Sequence, residues 1–159
     1  ECAKVEAMPE ALRKVFDLLT GEPALEKLKA LTGFDDLFAD PSLYGGGITL
    51  TPADGYLDVH ADWNWQDELK AYRTVNLLLY LNPGWEEGDG GELELWADGK
   101  CAKRISPVQN RAAIFTTTDN ALHGVAKCSK ERRAVSVYYY RKEAAPGISP
   151  EPHKTKWAD

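Results

Sequence analysis

Apolar positions fall into two textures along the chain. Before Gly45 they recur at helical spacing, and after it they alternate in short runs between turn formers. Leu12, Val15, Phe16, Leu18 and Leu19 repeat near a 3.6-residue period, and Leu25, Leu28 and Leu31 make a second stripe. Pro9 suits a first helical turn, Gly21-Glu22-Pro23 divides the two segments, and Gly33 suits a helix end. Two helices are expected there, packed on the outside of a sheet. Eight β-rich runs follow, at 46–52, 56–62, 73–82, 91–97, 101–106, 111–117, 121–127 and 132–141. Their connectors carry turn chemistry such as Pro52-Ala53-Asp54-Gly55, Asn82-Pro83-Gly84 and Ala97-Asp98-Gly99-Lys100. Regularly spaced short strands after a helical opening predict a mainly β fold of about eight strands, a β-sandwich or jelly roll with the N-terminal helices on one face. The expected organisation is one domain over 1–159, with helical support at 1–44, the core at 45–141 and an extended tail at 142–159. Pro146, Pro150 and Pro152 keep that tail extended, and it is expected to wrap the body.

Composition narrows the class. With 159 residues the chain is long enough for one core and short for two. A net charge of −6, with no clear basic run, argues against nucleic acid or an anionic membrane as partner. No segment approaches the ~20 apolar residues of a membrane helix. Cys2, Cys101 and Cys128 are odd in number and fit no close metal spacing, which points to a reducing, cytoplasmic setting. No secretory signal is visible in the sequence given. Oligomeric state is left open.

The candidate chemistry lies in His60-Ala61-Asp62, answered downstream by His123 and Arg132. Residues two apart on a strand point to the same face, so His60 and Asp62 stand together. Two imidazoles and one carboxylate leave open coordination positions, an arrangement suited to Fe(II) in oxygenases. Arg132, nine residues beyond His123, stands where it could hold a carboxylate of a metal-bound molecule. In a jelly roll these strand ends meet at one mouth of the barrel. Residues 63–72 are then expected to form the loop leaving the metal, with Trp63 and Trp65 beside the pocket.

The stretch from His60 to Tyr140 resembles the prolyl-4-hydroxylase-like branch of the Fe(II)/2-oxoglutarate dioxygenases, in the form of a small microbial-type member. The matching pieces are His-Ala-Asp-Trp-Asn at 60–64, Arg73 through Tyr80-Leu81-Asn82-Pro83, Gly-Gly-Glu-Leu-Glu-Leu-Trp at 90–96, and Asn110-Arg111 with Phe115. His123-Gly124 and Arg132 through Tyr140 complete the pattern, and Leu-Thr-Gly at 31–33 and Asp-Pro-Ser-Leu-Tyr-Gly-Gly-Gly at 40–47 resemble the lead-in of microbial members. The resemblance implies a double-stranded β-helix, a jelly-roll and cupin-like fold. It implies Fe(II) on His60, Asp62 and His123. It assigns 2-oxoglutarate to Arg132, Tyr80 and Ser136, with Leu93 and Val125 as apolar walls. Arg73 and Tyr138 match substrate-facing positions, and Trp63 and Asn64 are further candidate substrate contacts. The implied reaction consumes O2, releases succinate and CO2, and hydroxylates a C–H bond, with ascorbate as an optional helper. A prolyl residue of a protein or peptide is the expected acceptor; a free amino acid or other small molecule is the alternative. Fe(II), Asp62, doubly negative 2-oxoglutarate and Arg132 sum to zero charge, as a buried site requires.

Rival readings stay open at several positions. A cupin-like metalloenzyme without 2-oxoglutarate would need the triad but not Arg132. A non-catalytic jelly-roll binding module would need neither. Adjacent Arg133 points to the opposite face of its strand and is read as solvated or ion-paired. Asn76 shares a face with Leu78 and Tyr80 and is either a pocket group or a satisfied core amide.

Overall fold

The computed structural model describes residues 8–158. Helix α1 (Glu10–Thr20) starts behind Pro9 as its N-cap, and α2 (Glu22–Thr32) ends at Gly33. Gly33 sits at φ 75°, the left-handed conformation a helix-ending glycine supplies at little cost, and its N–H closes on Lys29 O at 2.8 Å. Phe16, Leu25 and Leu28 are the buried helical residues. Two stripe members depart from expectation: Leu18 and Leu31 are 72% and 67% exposed. Leu18 lies two residues from Phe16, about 200° around the helix, and so faces solvent. In α2 the covered face runs on from Leu28 to half-buried Thr32, leaving Leu31 outside.

Eleven strands follow: β1 (Phe38–Ala39), β2 (Gly47–Thr51), β3 (Leu57–Ala61), β4 (Trp65–Gln66), β5 (Ala71–Tyr80), β6 (Leu93–Ala97), β7 (Lys100–Ile105), β8 (Ala112–Thr116), β9 (His123–Val125), β10 (Arg132–Arg141) and β11 (Lys156–Trp157). All eight expected runs form strands. The extra three are two-residue pieces with no sequence period to betray them. One of them, β4, breaks the expected 63–72 loop, and β5 begins at Ala71.

The strands form two antiparallel sheets, the double-stranded β-helix arrangement. In one, β5 pairs with β10, β8 and β4, while β2 and β1 pair with β10. The other runs β11-β3-β9-β6-β7. The two faces of the first sheet have separate tasks. Val75, Leu77, Val135, Val137 and Tyr139 point outward and bury Phe16, Leu25 and Leu28 beneath them. The Tyr139 hydroxyl donates to Leu19 O at 2.8 Å, tying β10 to α1. The inner face carries Tyr80 and Ala134, packed with Leu93 and Ala113.

One irregularity in this sheet matters for the site. Tyr139 pairs with Val75 but Tyr140 pairs with Arg73, so Thr74 is an extra residue, a β-bulge. Strict alternation would put Arg73 on the outer face with Val75 and Leu77. The bulge turns it inward.

The tail wraps the body. Asn64, 1% exposed, donates through Nδ2 to Ser149 O and Glu151 O at 2.9 and 3.1 Å and accepts from His153 N–H at 2.8 Å. Asp119 holds the same segment by accepting from Ser149 N–H and Lys156 Nζ, with His153 Nε2 at 3.2 Å. Beyond these anchors β11 pairs with β3. Among the described residues, no helix is long and apolar enough to cross a membrane. Cys101 and Cys128 are free thiols, and Cys128 is buried with its S–H near Pro52 O and Gly55 O; Cys2 lies outside the described residues.

Candidate active site

His60 and His123 face each other across β3 and β9 as a directly opposed pair, with ring centroids 4.5 Å apart. Asp62 follows the end of β3. One side-chain ligand atom from each of the three lies within 4.8 Å of the others. His60 Nδ1 meets Asp58 O at 2.7 Å and His123 Nδ1 meets Ala121 O at 2.9 Å. A carbonyl only accepts, so each Nδ1 carries a proton, and in the neutral ring each Nε2 keeps a free lone pair. Such a backbone contact on the far ring nitrogen is how metal-binding imidazoles are oriented. Both Nε2 atoms face the Asp62 carboxylate, His60 at 3.6 Å from Oδ1 and His123 at 3.5 Å from Oδ2.

Burial and charge act differently on the three. At Asp62 burial alone would raise the pKa. The Arg73 guanidinium, both imidazoles and Asn76 together outweigh it, so the carboxylate lies well below its ordinary range. Burial pulls His60 down, yet Asp62 and the Asp58 carbonyl lift it above its usual value. At His123 burial wins and holds the imidazole below it.

A cavity of about 350 Å³ opens on the triad. Inner-face residues of β10 line it in register, Arg132, Ala134, Ser136 and Tyr138, with Leu93 and Val125 opposite. Arg132 is 4% exposed and donates through Nε to Gly91 O at 2.9 Å. Burial lowers its pKa, and no carboxylate among the described residues pairs with it. The Tyr80 ring lies beneath it, with Cζ 5.1 Å from the centroid. The Tyr80 hydroxyl is buried with no well-formed hydrogen bond, although Arg132 is near enough to oppose the effect of burial on its pKa. A buried guanidinium without an anion beside an orphaned hydroxyl is a pair of groups that a carboxylate would satisfy. Arg133 points away, ion-paired with Glu131 at the surface.

Not every expected residue reaches the cavity. Asn64 does not: its amide is spent on the tail, so it is a structural clamp in this fold. Trp63 stands at one side, in edge contacts with Tyr44 and Tyr138, and lines a second depression with Trp65 and Trp157. Arg73 is 2% exposed and bonded to Asp62, and it adds a buried cation that the zero-sum charge count omits. Asn76 proves to be a pocket group, donating to Asp62 Oδ2 at 2.8 Å. Thr49, Thr51, Tyr56, Leu57, Leu78 and Phe115 also line the cavity. The parity of β5 marks Leu78, but the threonines arrive only through the β2–β10 register, which pairs Thr49 with Ala134 and Thr51 with Arg132. Trp157, whose ring lies on His60, gives no sequence signal.

Two antiparallel sheets enclosing a two-histidine, one-carboxylate set define the class of non-haem Fe(II) oxygenases. The chain matches the 2OG-Fe(II) oxygenase superfamily over residues 46–141 and belongs to that family. Among solved structures, a prolyl 4-hydroxylase from Phytophthora capsici is 28% identical with a TM-score of 0.63, over 87% of this chain and 48% of its own. A prolyl-4-hydroxylase from Pseudomonas putida is 25% identical with a TM-score of 0.58, over 85% of this chain and 69% of its own. A prolyl hydroxylase from Trichoplax adhaerens, solved with a hypoxia inducible factor oxygen degradation domain peptide fragment, is 26% identical with a TM-score of 0.52, over 60% of this chain and 42% of its own. The chain thus spans less than half the length of the Phytophthora and Trichoplax proteins. No curated protein matches it.

Proposed function

We propose that this protein hydroxylates a prolyl residue of a protein or peptide, converting 2-oxoglutarate and O2 to succinate and CO2 as the C–H bond becomes C–OH. The observation that carries the cosubstrate assignment is Arg132, a buried cation with no carboxylate partner among the described residues, opening on the same cavity as the triad. His60, Asp62 and His123 would hold Fe(II), which when bound supplies the O2 chemistry. Arg132 would take the distal carboxylate, with the Tyr80 hydroxyl as a second donor and Ser136 nearby on the same strand face. Leu93 and Val125 would wall the aliphatic chain and exclude water. The prolyl acceptor is supported by relatives named as prolyl hydroxylases, including the one solved with a peptide. A reducing cytoplasm is supported by the free thiols of Cys101 and Cys128.

The test is anaerobic titration of Fe(II)-loaded protein with 2-oxoglutarate, followed by its visible charge-transfer band. A band that appears in the wild type and fades in Arg132→Ala supports the site. No band despite bound iron would sink the reading and favour a cupin-like metalloenzyme. A proline-peptide panel with ascorbate present then tests the acceptor, with succinate release as the readout.

A further inference from the structure

The two oxygens of Asp62 have different surroundings. Oδ2 receives Asn76 Nδ2 at 2.8 Å and Arg73 Nη2 at 2.9 Å. Oδ1 has neither of these donors and stands toward His60 Nε2 at 3.6 Å, while Oδ2 also lies 3.5 Å from His123 Nε2. Arg73 and Asn76 are themselves joined, Arg73 Nε donating to Asn76 Oδ1 at 2.9 Å. The guanidinium packs against two aromatic rings set nearly at right angles, its Cζ 3.5 Å from the Tyr138 centroid and 4.8 Å from that of Trp63. Arg73 and Asn76 are each 2% exposed. A planar cation fixed at both ends and on a ring face has little freedom to swing out toward a peptide.

We propose that Arg73, with Asn76, is a positioning residue for Asp62, and that this triangle rather than a substrate contact is its principal task. The proposal rests on the reading of Asp62 as a metal ligand. By occupying Oδ2, the triangle leaves Oδ1 as the free donor and fixes its direction. The Thr74 bulge is the structural reason the arginine reaches Asp62 at all. Truncating Arg73 leaves the half-buried Asp62 with Asn76 as its remaining amide donor and its carboxylate less firmly oriented.

The experiment is titration of apoprotein with Co(II), read by calorimetry and by its visible spectrum, in wild type, Arg73→Gln, Arg73→Lys and Asn76→Ala. Arg73→Gln is expected to weaken Co(II) binding by about 10–100-fold, the range for loss of an outer-shell partner. Arg73→Lys, which keeps the charge without the fork, should recover part of that loss. Asn76→Ala removes the other donor but spares the aromatic clamp, so it carries the test if Arg73→Gln does not fold. Its expected loss is smaller but still resolved. Co(II) affinities within twofold of wild type, with an intact fold, would overturn the proposal and return Arg73 to the substrate. Failure of the wild type to bind Co(II) would instead refute the metal reading beneath it, and this proposal with it.

Discussion

Trp157 lies against His60, ring centroids 4.9 Å apart and tilted by 44°, so the last described strand buttresses a candidate metal ligand. The tail that delivers it is fastened upstream by Asn64, just beyond the His-Ala-Asp motif. Asn64→Ala would strand three polar backbone groups, at Ser149, Glu151 and His153. The expected cost is about 1–3 kcal/mol. Urea unfolding would show the lost stability, and limited proteolysis near Lys154 should quicken. An unchanged midpoint and cleavage rate would show that the clamp is dispensable.

Arg132 and Arg133 are adjacent and predicted to behave oppositely. Arg132→Ala should weaken 2-oxoglutarate binding by at least about 10-fold, since a charge-assisted pair is lost from a buried site. Arg133→Ala removes only an exposed pair with Glu131 and should change binding less than twofold and stability by at most about 0.5 kcal/mol. Calorimetric titration of both variants decides it. Gly91→Ala should resemble a mild Arg132 defect. Gly91 has φ +68°, and a Cβ there would meet Trp85 Cζ2 at 2.9 Å and Arg132 Cδ at 3.2 Å.

Metal affinity should fall as pH falls. Protons and metal compete for the same Nε2 lone pairs. Because Asp62 and the Asp58 carbonyl hold His60 above its ordinary value, competition begins there first as pH falls; His123, held low by burial, joins only in more acidic solution. Asp62 stays ionised throughout this window. The apparent Co(II) association constant, followed from about pH 8 to about pH 5.5, should therefore steepen from a one-proton toward a two-proton dependence. A flat profile would contradict the assignment of His60.

Two neighbouring tyrosines offer a test of the fold without touching the metal. Tyr139→Phe deletes the hydrogen bond to Leu19 O and should cost about 1 kcal/mol, seen as a lower urea midpoint. The Tyr140 hydroxyl is buried with no hydrogen-bond partner among the described residues, so Tyr140→Phe should be neutral or slightly stabilising. Equal effects from both would contradict the different hydrogen bonding at β10.

Local pattern carried much of this protein. Alternation and turn residues located all eight long strands, because each must present one face to a core and each turn needs particular backbone angles. His60 and Asp62 could be paired by strand parity alone. Arg132 could be preferred over Arg133 by alignment with a family strand, and the ion pair of Arg133 with surface Glu131 agrees with that preference. Asn64 misled, because a polar residue beside a motif is equally suited to a pocket or to a clamp. What it bonds lies 85 or more residues away.

What the sequence by itself determined is the set of elements and the chemical types near the metal, since both follow from short-range periodicity and residue identity. Only the tertiary structure decided the orientation of Arg73, the partners of Asn76 and the place of Trp157. The first depends on one extra residue at Thr74, which shifts register without changing composition. The others depend on contacts between segments far apart in the chain, and no local spacing encodes those.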